Sequence, residues 1–224
     1  GTTVCVLRKL KCGELRSMLL IKGIRMTKRL VYGVGINDAD YIVCKYERLT
    51  SGKQKLLWYC PIYKRWKHML MRCYSKTFQN KCPSYIGVLV CKEWHLFSNF
   101  KMWMETQDWE DKVLDKDLLI KGNKEYSPQS CTFVSPLVNS FIVESTTTKG
   151  LYPTGVCFNK PMGKFQALCS QLNGKQKHLG YFFTPEEAYL SWKEEKLRLA
   201  KLLAADQKDH RVAQAILQRY EITD

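Results

Sequence analysis

The strongest constraint on the fold is the punctuation of residues 155–187. Pro161-Met162-Gly163 and Asn173-Gly174 cut this stretch into three runs, Gly155–Lys160, Lys164–Leu172 and Gln176–Phe182, each too short for a helix and bounded by turn formers. Thr184-Pro185-Glu186-Glu187 then reads as a helix start, with a hydroxyl cap, a proline at the first helical position and two acids at the positive end of the helix dipole. The spacing predicts a helix to about Leu203, whose Ala188, Trp192, Leu199 and Leu202 form an apolar stripe able to cover one sheet face. Past a polar break at Ala205 to Asp209, a short helix from Arg211 to Tyr220 places Val212, Ile216 and Tyr220 on one side and closes this C-terminal unit.

Upstream, residues 31–60 read as short strands and turns: Val31–Gly35, the Asn37–Asp40 turn, Tyr41–Cys44, the Ser51-Gly52-Lys53 turn and Leu56–Cys60. Pro61 opens a basic amphipathic helix, with Ile62, Trp66, Met69, Leu70 and Cys73 at helical spacing and Lys64, Arg65, Lys67 and Arg72 around them. A second helix, from about Glu93 to Glu105, carries Trp94, Phe97, Phe100, Met102, Trp103 and Met104, which read as core and not as a base-stacking platform. The expected class is α+β in two parts, 26–148 and 149–224, with Ser145 to Lys149 as linker and residues 1–25 a basic leader without an assigned role.

The chain holds 36 basic and 21 acidic residues among 224, a formal charge of +15, and that surplus calls for a polyanion, nucleic acid first. The charge is clustered. Lys45 to Lys81 holds ten basic residues and the single acid Glu47, Glu105 to Asp117 holds six acids and two lysines, and no acid lies between Glu144 and Glu186. Basic stretches suit phosphate, and an acidic one suits a cation. No apolar run approaches the roughly 20 residues needed to span a bilayer, so no membrane role is expected. The ten cysteines show no C-x-x-C spacing; they read as reduced thiols of a cytoplasmic protein, without structural zinc or a small-molecule cofactor.

The chemistry concentrates in one stretch. Val113 to Ile120 reads as a strand, a turn follows at Gly122-Asn123-Lys124, Cys131 to Val134 is a second strand, and Ser135-Pro136 starts a helix bearing Asn139. Asp115 and Asp117 leave the first strand on the same side, and Asn139 arrives from the helix packed across it. Two carboxylates and an amide oxygen are hard donors that suit magnesium or manganese beside a scissile phosphate.

Residues 114–139, LDKDLLIKGNKEYSPQSCTFVSPLVN, resemble a diverged HNH motif, the strand, loop, strand, helix metal finger of phage homing endonucleases; WKHMLMRCY and VCKEWHLFSNFKMW resemble the segments preceding it. The resemblance implies an acidic metal ligand at Asp115 and a helix-borne ligand at Asn139. The position of the general-base histidine is taken by Lys116, and that of the loop asparagine falls near Ser130, with Asn123 in the same loop. The candidate replacements for the base are Asp117, Lys116 acting as a base or as a phosphate clamp, and His68 or His95 brought in from upstream.

The C-terminal unit resembles the Apetala/ethylene-response-factor type of DNA-binding domain through Gly155-Val156, Gly163 to Ala167, Leu179 to Phe182 and Thr184 to Ala188. The resemblance implies that the sheet face away from the helix enters a major groove. Matching positions are Cys157, Asn159, Gln166, Leu168, Ser170, Gln176 and His178, with Lys160, Lys164, Lys175 and Lys177 placed for phosphates. With no arginine or tryptophan among the groove positions, adenine readout by Gln166 or Gln176 is the expected mode. The whole reads as a metal-dependent endonuclease on double-stranded DNA. The alternatives are a phage regulatory or host-takeover protein that binds DNA through a degenerate finger without cutting, and an inhibitor of a host protein.

Overall fold

A computed structural model describes residues 30–143 and 151–220; the leader, the linker at 145–149 and the last four residues lie outside the described residues. The architecture is mixed α+β, with six helices and four small sheets among the described residues. None of these helices is long and apolar enough to cross a membrane.

The first part opens with a two-stranded ribbon, β1 (Cys44–Arg48) and β2 (Gln54–Tyr59), paired antiparallel. The pairing begins at Cys44, where the expected Tyr41–Cys44 strand ended, because Leu49 and Gly52 build the turn at the tip. Helix α1 (Pro61–Tyr74) buries Ile62, Tyr63, Trp66, Met69, Leu70 and Cys73, one stripe at helical spacing. It has no side-chain cap at its N-terminus, so packing of that stripe is what holds it. Ser75 ends α1 and starts α2 (Lys76–Lys81) by accepting the Phe78 amide.

The expected second helix is divided. Lys92–His95 forms a 3₁₀ turn and α3 (Phe97–Glu105) follows after Leu96. Trp94, Phe97, Phe100 and Met104 are fully buried, while Met102 faces outward at 68% exposure. Trp66 joins them and donates its indole N–H to the Trp94 carbonyl at 2.7 Å, so burying this large ring leaves no polar atom unmatched. Burial pushes the thiols of Cys73, Cys91 and Cys131 up to about 12, which leaves them uncharged packing groups at neutral pH.

β3 (Leu89–Val90) pairs in parallel with β5 (Glu125–Tyr126), and β4 (Val113–Asp115) pairs antiparallel with β6 (Thr132–Val134), which leads into α4 (Pro136–Ile142). The second part is a three-stranded antiparallel sheet, β7 (Val156–Asn159), β8 (Lys164–Ser170) and β9 (Gln176–Phe182), in sequential order. Ala167 and Cys169 are wholly buried under α5 (Pro185–Ala205). Thr184 and Glu187 form the reciprocal capping box that starts α5. Its buried stripe is Ala188, Trp192, Leu199 and Leu203; Leu202, expected in the stripe, is half exposed.

The missing member of that stripe is Glu195, buried to 8% exposure. Arg198 donates to both of its oxygens, and Lys177 donates to Oε1 at 3.2 Å. Arg198 first, then Lys177, hold its carboxyl down at about 2 although burial works the other way. A carboxyl lowered on folding stabilises the native state fully above its ordinary value of about 4.5, and that contribution is lost as pH falls from there towards about 2. Glu195→Gln is therefore expected to lower stability by about 1–2 kcal/mol at pH 7. The substitution should also flatten the pH dependence of unfolding between pH 4.5 and 2, and an acid limb as steep as the wild type's would refute this.

One buried cluster crosses from the first part to the second. Leu118, Val134, Val138, Phe141 and Ile142 pack with residues of the sheet, α5 and α6 (His210–Tyr220). Tyr220 donates to the Phe141 carbonyl at 2.8 Å and sets its ring at 5.1 Å from the Phe141 ring, while Lys196 lies 3.7 Å over the same ring. The helix that carries Asn139 is thus held against the C-terminal helices.

Candidate functional site

Asp115 ends β4 and turns the chain. Its Oδ1 accepts the amides of Asp117 at 2.9 Å and Leu118 at 2.6 Å, an aspartate turn that competes with continuation of the strand. The expected strand from Val113 to Ile120 accordingly stops at Asp115, and Asp117 sits in the turn, not beside Asp115 on a strand face.

The loop that follows is closed by Asn123. Its Nδ2 donates to the carbonyls of Lys116 at 2.7 Å and Glu125 at 2.6 Å, and its Oδ1 accepts the Glu125 amide. Of the two loop candidates, Asn123 is the one that ties both arms. Ser130 is buried at the loop's end and bonds Ser127 and the Glu125 carbonyl. Lys116 is buried beneath the loop, donating to Asp117 Oδ2 at 2.7 Å and to the Asn123 carbonyl at 3.0 Å. Asp117 keeps 49% of its side chain exposed.

Ser135 caps α4 through the Val138 amide. The helix buries Val138, Phe141 and Ile142 and leaves Asn139 partly buried on the adjacent side. Asp115, Lys116, Asp117, Asn123 and Asn139, drawn from a strand end, a turn, a loop and a helix, line one cleft of about 570 Å³. Burial first, and then the Asp117 charge, raise the Asp115 carboxyl above its ordinary value, against the two turn amides and Lys116. A cation in the cleft would reverse that cost. Asp115 Oδ2 and the Asn139 amide group make no hydrogen bond among the described residues, so both are available as donors to a divalent ion. Among the described residues no three His, Cys, Asp or Glu side chains converge.

None of the four histidines lines this cleft. His68 is exposed on α1, and His95 contacts the Val90 carbonyl and Tyr74. Loss of solvent contact, joined by Arg72, Lys64 and Lys67 at His68, lowers the pKa of both rings, and neither lines the cleft, because each sits on an element packed into the first core.

The basic residues expected around α1 take different roles. Lys64 is exposed, whereas Arg65 is pinned by the carbonyls of Trp109 and Lys112 and lies 5.2 Å over the Trp109 ring. Arg72, in the last turn, reaches the cleft instead.

On the sheet, the register places Cys157, Asn159, Lys164, Gln166, Leu168, Ser170, Gln176 and His178 on the face away from α5. Asn159 donates to Gln166 Oε1 at 3.2 Å, and Gln166 contacts the Cys157 thiol. Lys160 and Lys175 are exposed at the turns at opposite ends, while Lys164 Nζ lies 4.5 Å over the Phe183 ring. Lys177 does not join this face: it pairs across from buried Cys169 and reaches Glu195 on the helix side. Tyr181 does join it, opposite Gln166 and 4.6 Å from the His178 ring. Comparison with protein-family models, curated proteins and solved structures returned no match.

Proposed function

We propose that this chain is a metal-dependent DNA endonuclease built on an HNH-like ββα finger, with an Apetala/ethylene-response-factor-like sheet that holds the duplex. The observation that carries the reading is convergence: Asp115, Asn139 and the Asn123-closed loop meet at one cleft although they come from separate elements. The donors are hard oxygens of the kind magnesium and manganese take. Asp115 and Asn139 would hold the ion, which when bound neutralises charge developing at phosphorus and acidifies water. Lys116, with one N–H left after Asp117 and Asn123, binds a phosphate oxygen. Asp117, half exposed at the cleft, accepts the proton of the attacking water in place of the absent histidine. The outer sheet face supplies the duplex contacts, with Gln166 and Gln176 on adenine edges and Lys160, Lys164 and Lys175 on phosphates.

The test is strand cleavage of supercoiled duplex DNA with magnesium or manganese, together with duplex affinity across a salt series. Metal-dependent nicking and a steep fall of log affinity with log salt are expected. The lack of a histidine in the cleft favours a second reading, a non-cleaving phage DNA-binding regulator with a degenerate finger. It predicts the same salt slope without nicking at any metal concentration. A flat slope would refute both and leave a protein partner.

A further inference from the structure

The cleft has one wall that the finger itself does not supply. Arg219, in the last turn of α6, lines it together with Asp115, Asp117 and Asn139. Its position follows from its neighbour: Tyr220 is fixed to α4 by the bond to the Phe141 carbonyl and by the ring contact, so the last turn of α6 is carried to the helix bearing Asn139. Arg219 Nε is buried without a hydrogen-bond partner, the one such side-chain atom among the described residues. A buried donor of a charged group left unmatched is costly.

Arg72 approaches the same cleft from the last turn of α1, with its guanidinium 5.9 Å over the Tyr85 ring. Neither arginine forms an ion pair with a carboxylate among the described residues, although Asp115 and Asp117 line the same space. Two guanidinium groups far apart in sequence, one with an unmatched donor, beside carboxylates able to take a cation, form the charge pattern of a phosphodiester site: anion and cation positions side by side.

We infer that Arg219 is a phosphate-binding residue of the cleft, delivered by the C-terminal helix, so that the DNA-holding part completes the cutting site. The inference rests on the nuclease reading for its kinetic consequence but not for its binding consequence. The guanidinium takes the phosphodiester backbone by two N–H donors, and Arg72 grips it from the other side.

The test uses the full chain with Arg219→Met, Arg219→Lys and, as a remote cation control on α5, Lys201→Met. Duplex affinity is measured without divalent metal across a salt series, and single-turnover nicking is measured with manganese. Loss of one phosphate contact lowers the salt slope by about 0.9 in Arg219→Met. Nicking at saturating DNA falls about 10–100-fold in the same variant. Arg219→Lys keeps the charge and the slope but recovers only part of the rate, since an ammonium lacks the planar fork. Lys201→Met resembles wild type in rate. Thermal unfolding of Arg219→Met and Arg219→Lys at or above the wild-type midpoint shows that the fold is retained; should Arg219→Met melt early, Arg219→Lys carries the comparison. An unchanged slope in a folded Arg219→Met overturns the inference whether or not the wild type nicks. An inactive wild type with a lowered slope in Arg219→Met refutes the nuclease reading and upholds Arg219 as a phosphate contact.

Discussion

Asp115→Asn is expected to reduce metal-dependent nicking about 10²–10³-fold while leaving the fold in place, and Asp115→Ala to lose the same activity and about 1–2 kcal/mol of stability as well. The difference between the two isolates two tasks of one side chain. Oδ1 turns the chain by accepting two amides, and an asparagine oxygen does this nearly as well. The negative charge, which asparagine lacks, is what a divalent ion needs. Proton and cation compete for this carboxyl. Because burial raises it above the unfolded value, its protonation favours the native state at low pH, and that contribution is lost as pH rises through the folded value. A cation bound at neutral pH restores the lost stability by mass action. Manganese should therefore raise the melting temperature of the wild type near pH 7, with a rise that shrinks towards acid pH, and should leave Asp115→Asn unmoved. An equal rise in both would place the cation elsewhere.

Much of the C-terminal part is legible in sequence because its signals are local. Asn173-Gly174, Gly163 and the Thr184 to Glu187 box act within a few residues of themselves, and the strands and helix begin within a residue or two of where those signals put them. Period-two alternation is legible only until a bulge interrupts it. The irregularity opposite Ala167 and Leu168 leaves Leu179 without a cross-strand partner, so His178 and Tyr181, three apart, share the outer face. Strict alternation from His178 turns Tyr181 inward, which is why the sequence reading passes over it. Lys177 is the converse case. Its charge suggested phosphate, but alternation between Gln176 and His178 puts it on the helix side, where Glu195 awaits it. Asp115 ends its strand by a side-chain capture that no hydrophobic period reveals, and Glu195 occupies a helical stripe that an apolar search skips. The cleft itself is partly legible: Asp115, Lys116 and Asn139 stand in one motif, whereas nothing in the order of residues links Arg219 to them before α6 is packed on α4.

Gly155→Ala should unsettle the sheet more than any other single-methyl change there, by about 3 kcal/mol or more. Gly155 enters β7 at φ +81°, where a non-glycine residue costs about 1–2 kcal/mol. A β-carbon built on it would stand 2.1 Å from Cδ1 and 2.3 Å from Nε1 of Trp192. Trp192 lies in the buried stripe of α5 and stacks on Tyr189 at 5.7 Å, so it can move only by lifting the helix from the sheet, and overpacking of this kind adds about 1–3 kcal/mol. Against a native stability of about 5–15 kcal/mol this is a large share. Gly163→Ala provides the comparison: φ is +61° but a β-carbon there meets nothing within 4 Å, so only the backbone cost of about 1–2 kcal/mol applies. Amide hydrogen exchange resolved over β7 to β9 should show protection falling much further in Gly155→Ala than in Gly163→Ala. Combining Gly155→Ala with Trp192→Ala should cost less than the sum of the two alone, since the second change removes the atoms the first one strikes. Strict additivity would mean that the clash is relieved elsewhere and that the indole does not set the glycine requirement. Because Asn159, Gln166 and His178 keep their places only while this sheet lies on α5, duplex affinity should fall in step with the lost protection, as the DNA contacts proposed for the opposite face require.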